Sequence, residues 1–261
     1  MWQRLAMLSR LPRPTVLAVF AAAACLWIAL LTLLLSRGGD AAVLLLDYSD
    51  TSSFPYPFTI QNLMYLFFFV CLGDLFVRWT CAEQEMLHVG QGYLPEDEQT
   101  VLQPHELGAI RERVAGRYDG ENGFLPYLIN LSILQFQTSH SVDQAVNVLN
   151  SSLDLIAHRV DLRYSTIRYI VWAIPTFGFI GTVVGIAGSL AFIKGGTMQL
   201  DMITGNLAIA FNTTIIALVL SAILVAFLHA VQKKEETAVN LAGGYCLQNL
   251  INRLFVGHPG A

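Results

Sequence analysis

Three consecutive polar residues, Asn212, Thr213 and Thr214, lie inside the otherwise apolar stretch 206–231. Hydroxyls and an amide in that setting suit two kinds of chemistry. They can line a path for a small cation, or they can bond one helix to another. A threonine hydroxyl often bonds back to its own helix. An asparagine side chain must face other protein or water. Both readings stay open for the triplet. A second apolar stretch, 169–193, carries Thr182 and Ser189 beside glycines at 178, 181, 185 and 188. At about 100° per residue the four glycines share one helix face, and Gly181 with Gly185 forms a GxxxG pair. Such stripes let two backbones approach closely, so Gly178, Gly181, Gly185 and Gly188 read as packing residues. The later stretch repeats the device with Ala210, Thr214, Ala217 and Ser221. Pro175 removes one backbone hydrogen bond and predicts a kink.

Neither stretch holds Asp, Glu, Lys, Arg or His before His229. Proton relays at membrane depth normally need an ionisable group. Asp74 is the one acidic residue in the stretch 60–80, and Arg78 follows four residues later. That spacing predicts an ion pair within one helix. If ions cross here, a partner chain is expected to supply the mid-membrane carboxylate.

The elements that hold these residues are apolar helices. The chain has 261 residues, 54% hydrophobic and 13% charged, against about a quarter charged in soluble domains. A spanning helix needs about 20 mostly apolar residues. Four segments qualify: 15–36, 60–80, 169–193 and 206–231. The first has a charged start like a signal peptide, but its apolar run is too long and no A-x-A site follows, so a retained helix is expected. Lys and Arg set the orientation. Thirteen of the fifteen lie in the N-tail 1–14, the middle segment 81–168 with its borders, and the tail 232–261. The loops 37–59 and 194–205 hold one each. Both termini and the middle segment are expected in the cytoplasm, and the two loops in the periplasm. The fold class that results is all-α: a polytopic membrane protein with four transmembrane helices and long cytoplasmic helical extensions.

Within 81–167, Gly and Pro cluster up to Pro126 and predict short helices. No Pro or Gly then appears until Pro175, which predicts one long helix running into the third span. Leu128, Leu131, Leu134, Val142, Ala145, Val148, Leu149, Leu155 and Ile156 recur near helical spacing. The tail 232–256 is expected to continue the fourth span. The group Arg111, Glu112, Arg113 and Arg117 reads as a solvated helix face. The six histidines lack metal-ligand spacing, and the four cysteines read as small apolar residues. No metal site, cofactor or nucleic-acid surface is expected, and no nucleophile–base set points to an enzyme.

The run Ile174–Ile186, IPTFGFIGTVVGI, resembles the P-x-x-G-x-x-G-T-x-x-G-x signature in the third helix of MotA/TolQ/ExbB proteins. Ala210–Leu218, AFNTTIIAL, resembles their fourth-helix A-L-x-x-T-x-x-G-L motif. The resemblance covers about 60 residues closely. It implies an ion-conducting motor subunit of the bacterial inner membrane. It further implies a homo-pentamer around a dimer of a single-span partner of MotB, ExbD or TolR type. That partner carries an essential membrane Asp and a periplasmic domain. By motif position Thr182 and Thr214 are the pore threonines, and Thr213 extends the second to a pair. Asn212, Ser189 and Ser221 complete the expected ion pathway, with Ala210 and Ala217 as packing residues. The transported ion is H+ or Na+, with H+ expected, and membrane lipid surrounds the helices. The alternatives are a sodium-driven motor and a structural scaffold without flux. The chain departs from the family where Ile209 replaces an acidic residue and Ala217 a glycine. It also has four spans, as MotA does, where TolQ and ExbB have three.

Overall fold

The computed structural model describes residues 12–49, 52, 54–97, 99–119, 122–192 and 200–255. Among these the regular structure is helical: α1 (Arg13–Leu34), α2 (Asp40–Leu46), α3 (Ile60–Val89), α4 (Leu107–Val114), α5 (Phe124–Ser139), α6 (Val142–Arg163), α7 (Ser165–Ala191) and α8 (Leu200–Asn249). A 3-10 turn, Ile251–Arg253, follows α8. Four stretches are long and apolar enough to cross a membrane: α1, α3, Val142–Ala191 and Leu200–Arg253. The protein is thus an all-α, multi-pass membrane protein, as expected. Helix α8 continues well past residue 231, also as expected.

The chain forms two compact units, one from Met1–Val77 with Ser165–Ala230, the other from Arg78–Tyr164 with Val231–Ala261. In the first unit large apolar side chains point outward, among them Leu33, Trp172, Phe179, Phe211 and Leu218. Its covered residues include small ones, Ala24, Ala210 and Ala217, beside large ones such as Leu46, Met64, Ile167 and Ile174. The outward apolar side chains fit a lipid solvent, where close backbone packing replaces the hydrophobic drive between helices. Helix α1 starts with Pro14 in its first turn, where a missing N–H costs nothing. It lies against α3 through Phe20–Phe76 and Trp27–Phe69 ring contacts. Gly73 makes room there, since a Cβ at that position would meet Phe20 Cγ at 2.9 Å.

Asp74 corrects an expectation. Its carboxylate does not pair along its own helix with Arg78. It receives Arg13 Nε at 2.8 Å and Arg13 Nη2 at 2.9 Å, across 61 residues of sequence. A bidentate guanidinium fork outcompetes a single contact within a helix.

In the second unit the expected single long helix after Pro126 is broken twice. Helix α5 ends where His140 turns left-handed at φ 50°, and α6 starts after Ser141, whose hydroxyl accepts the Gln144 N–H. Tyr164 then separates α6 from α7. Side chains make the first break without Gly or Pro. Thr138 and Ser139 bond back to the carbonyls of Leu134 and Gln135, loosening the last turn of α5. The hairpin that results buries Leu128, Ile129, Ile133 and Phe136 of α5 and Ala145, Leu149, Ile156 and Val160 of α6. Leu134 and Leu155, expected on the packed face, are exposed.

Buried charges pin this unit. Glu85 accepts the backbone N–H groups of Gly123 at 2.6 Å and Phe124 at 2.7 Å, capping α5 from another helix. Burial nevertheless pushes its carboxyl above the usual range. Glu235, 1% exposed, takes Arg163 Nη1 at 3.1 Å and the Tyr164 hydroxyl at 2.7 Å. Burial, and next the charge of Glu235, push the Tyr164 phenol up, so it stays a donor. The segment before α4 is tied down where Leu102 bridges Leu254 and Arg253 Nη1 reaches the Pro95 carbonyl at 2.7 Å.

Candidate functional site

Helices α7 and α8 run antiparallel through a register of small residues. On α7 the buried stripe is Gly178, Gly181, Gly185 and Ser189. On α8 it is Asn206, Ala210, Thr213 and Ala217. Gly178 faces Ala217, and Gly181 faces Thr213. Gly185 faces Ala210 and the carbonyl of Asn206. A Cβ on Gly181 would lie 2.6 Å from Thr213 Oγ1, and one on Gly185 would lie 2.7 Å from Ala210 Cβ. No side chain fits at those distances. The spacing of these glycines is thus what lets the two backbones meet. Gly188 is half-buried one turn beyond Gly185.

Hydroxyls stand at this contact. Thr182 and Thr214 share a hydroxyl–hydroxyl hydrogen bond. The Thr182 oxygen also lies 3.0 Å from the Ala210 carbonyl and 3.2 Å from that of Gly178. Thr214 lies 3.1 Å from the Gly178 carbonyl. Each hydroxyl has one proton to give. Two arrangements therefore satisfy the pair. Either Thr182 donates to Thr214 and Thr214 to Gly178, or Thr214 donates to Thr182 and Thr182 to Ala210. The same oxygens hold both, and the direction of donation reverses between them. The hydrogen bonds of the pair can thus run in either direction without moving an oxygen.

The other expected residues divide. Thr213, 1% exposed, is bonded to the Ala210 carbonyl at 2.8 Å and fills the space under Gly181. Ser189 reaches the carbonyls of Gly185 at 3.0 Å and Ile203 at 3.1 Å. Ser221 donates to the Val171 carbonyl at 3.2 Å, the group whose helical partner Pro175 removes. Helix α7 runs unbroken through Pro175. Asn212 is not with the threonines. It lines a separate open cleft of about 580 Å³ with Asp40, Val43, Ser49, Gly205 and Ala208. Sequence reasoning missed Asn206, which is 3% exposed and bonds the Met202 carbonyl at 2.9 Å. Its place four residues before Ala210, on the small-residue stripe, is the signal that marks it.

No Asp, Glu, Lys, Arg or His falls within 169–191 or 206–228. The contact therefore has no side chain of its own that carries a net charge. Residues 125–242 match the MotA/TolQ/ExbB proton channel family. The match runs from α5 through α6 and α7 into α8, and so includes the whole hydroxyl-edged contact. No curated protein and no solved structure matches the chain.

Proposed function

We propose that this chain is the channel-forming subunit of a proton-driven motor in a bacterial inner membrane. Five copies surround a dimer of a single-span partner of MotB, ExbD or TolR type. The partner's membrane Asp is the group that binds and releases the ion. Protons pass that carboxylate along the α7–α8 contact of each copy, and the pentamer turns around the dimer as they do. Both termini and the second unit lie in the cytoplasm.

The observation that carries this reading is the Thr182–Thr214 hydroxyl pair. It stands on a helix contact that matches the proton channel family and holds no ionisable side chain. A scaffold needs the small-residue stripe but not a hydroxyl pair with two donor arrangements. The pair favours a proton: a proton taken up by one hydroxyl oxygen can release that hydroxyl's own proton to the other, which gives up its own in turn, and rotation of both hydroxyls then restores the start without displacing an oxygen.

Co-expression with a single-span protein bearing a membrane Asp should give a stable complex that conducts protons in vesicles. Thr214→Val keeps the shape of the contact and removes the relay. Flux should fall at least about tenfold, a loss of about 1.4 kcal/mol in barrier terms, while the complex stays assembled. Undiminished flux in an assembled Thr214→Val complex refutes the pathway. Flux that requires sodium and ignores the proton gradient replaces the proton with sodium.

A further inference from the structure

Helices α1 and α3 touch through the Phe20–Phe76 and Trp27–Phe69 rings, but toward the end of α1 a groove opens between them. Its volume is about 810 Å³. Ile28, Ala29 and Leu33 of α1 form one wall, Leu63 and Leu66 of α3 another, and Phe58 of the segment before α3 closes one side. The Tyr56 and Thr32 hydroxyls, both at the groove, share a hydrogen bond that ties this segment to α1. All of these residues belong to the first unit. Of the 22 residues of α1, Val16 and Ala24 alone are buried. The groove therefore opens on the same outward apolar surface as Leu26 and Leu30, which are exposed.

Sites that hold a small molecule span about 300–1,000 Å³, and this groove lies in that range. Left empty, it would cost every lining atom its dispersion contacts. Water does not fill it, because apolar cavities stay dry. Its walls are hydrocarbon, set between two spans and continuous with their lipid-facing surface. An acyl chain enters such a groove without passing a polar barrier. The end of the groove supplies the matching headgroup chemistry. Arg37, four residues past Leu33, places its guanidinium over the Tyr48 ring at 5.5 Å. The Tyr48 and Tyr56 ring centroids lie 4.5 Å apart. This ladder runs from the groove wall to an exposed positive charge just past the end of α1. Tyrosines gather at the level of lipid headgroups, and guanidinium binds phosphate through two parallel N–H bonds. Arg37 is the one basic residue of the loop 37–59, which holds three acidic ones, Asp40, Asp47 and Asp50. An anionic headgroup would meet net repulsion there. A zwitterionic one gives its phosphate to Arg37 and keeps an amine for the acidic loop.

We propose that the groove between α1 and α3 holds one acyl chain of a zwitterionic phospholipid whose phosphate rests on Arg37. The lipid completes the packing of α1 against α3. No residue of α7 or α8 lines the groove. The site therefore holds or fails independently of the proposed ion pathway.

The test delipidates the purified full chain in detergent, adds palmitoyl-oleoyl phosphatidylethanolamine, and weighs the complex by native mass spectrometry. One lipid per chain should survive the collision energy that strips the rest. Ala29→Phe puts a ring into the groove and should lose that lipid. Ala22→Phe, exposed on α1 outside the groove, should keep it. Arg37→Ala should bind the lipid about tenfold more weakly, the size of a lost charge-assisted bond. Palmitoyl-oleoyl glycerol, with the same chains and no phosphate, should bind the native chain as weakly. A readout on the native chain needs no variant. Cys25 is exposed and lines the groove, so saturating lipid should slow its alkylation at least about tenfold. Cys81, in the other unit, should react at an unchanged rate. A native chain that retains no lipid overturns the proposal, as does retention undiminished in a folded Ala29→Phe chain. Equal affinity for the phosphate-free glyceride overturns it too. Cys25 protection that follows protein concentration and ignores lipid assigns the groove to a second copy, and likewise overturns it.

Discussion

The Ser221 hydroxyl, on α8, donates at 3.2 Å to the Val171 carbonyl on α7, the acceptor that Pro175 leaves without its helical N–H. A freed carbonyl in lipid has no water to turn to. The serine and the proline therefore act as a pair across two helices. Ser221→Ala should destabilise the folded chain by about 1–2 kcal/mol, because it orphans a buried acceptor. Pro175→Ala restores the N–H of residue 175 and makes the serine redundant. In that background Ser221→Ala should cost little. A double-mutant cycle in detergent melts measures the coupling. Equal costs in both backgrounds would show that the bond does not stand in for the missing N–H.

The glycines make a second prediction. Gly181→Leu and Gly185→Leu place side chains where Thr213 and Ala210 already stand. Overpacking of this kind typically costs about 1–3 kcal/mol, and more where backbone meets backbone. Both variants should separate α7 from α8 and abolish the proposed pentamer in native mass spectra. Gly244→Ala, where a Cβ meets nothing within 4 Å, is the matched control and should assemble normally.

The ion pair of α1 should be asymmetric. Asp74 is 8% exposed at its side chain and Arg13 is 47%. Removing the arginine strands a buried carboxylate, whereas removing the carboxylate leaves an arginine that reaches solvent. Arg13→Ala should therefore lower the melting temperature more than Asp74→Asn. The reverse order would mean that the carboxylate is hydrated and the pair contributes no more than a surface bridge.

What the sequence shows and what it hides follow from the range of each interaction. The α7–α8 contact is legible because Gly178, Gly181 and Gly185, like Ala210 and Ala217, are local patterns with helical period. Their neighbours are less so. Counting angles places Thr214 on the α8 stripe, yet the residue buried under Gly181 is Thr213, with Thr214 at the edge. Two adjacent threonines differ by about 100°, less than the width of the contact. The Arg13–Asp74 pair spans 61 residues, so nothing local announces it. The hairpin at His140 has no Gly or Pro. Its signal is the run Thr138, Ser139, His140 and Ser141, polar side chains that bond backbone in place of the helix. Those same residues define the next prediction.

Ser141 caps α6 and His140 pays for the turn with a left-handed backbone. Ser141→Ala should destabilise the second unit by about 1 kcal/mol through loss of the cap. His140→Gly removes the steric cost of positive φ and should stabilise it by up to about 1 kcal/mol. Hydrogen exchange across α5 and α6 reads both changes locally. A destabilising His140→Gly would show that the imidazole, not the backbone, holds the turn.

Asp47 gives the pH dependence its sign. Burial, opposed by the Ser52 hydrogen bond, pushes its carboxyl from the ordinary 3.8 to about 6. The native chain therefore holds this proton more tightly than the unfolded chain. Stability is favoured below the unfolded value and falls as pH rises from about 3.8 through about 6. The native chain should lose up to about 3 kcal/mol relative to Asp47→Asn across that window. Above it the difference should stay flat. Melting curves of both proteins from acid to neutral pH check both parts. A native chain that gains stability over the same window would mean that Asp47 is stabilised as a carboxylate by the protein alone.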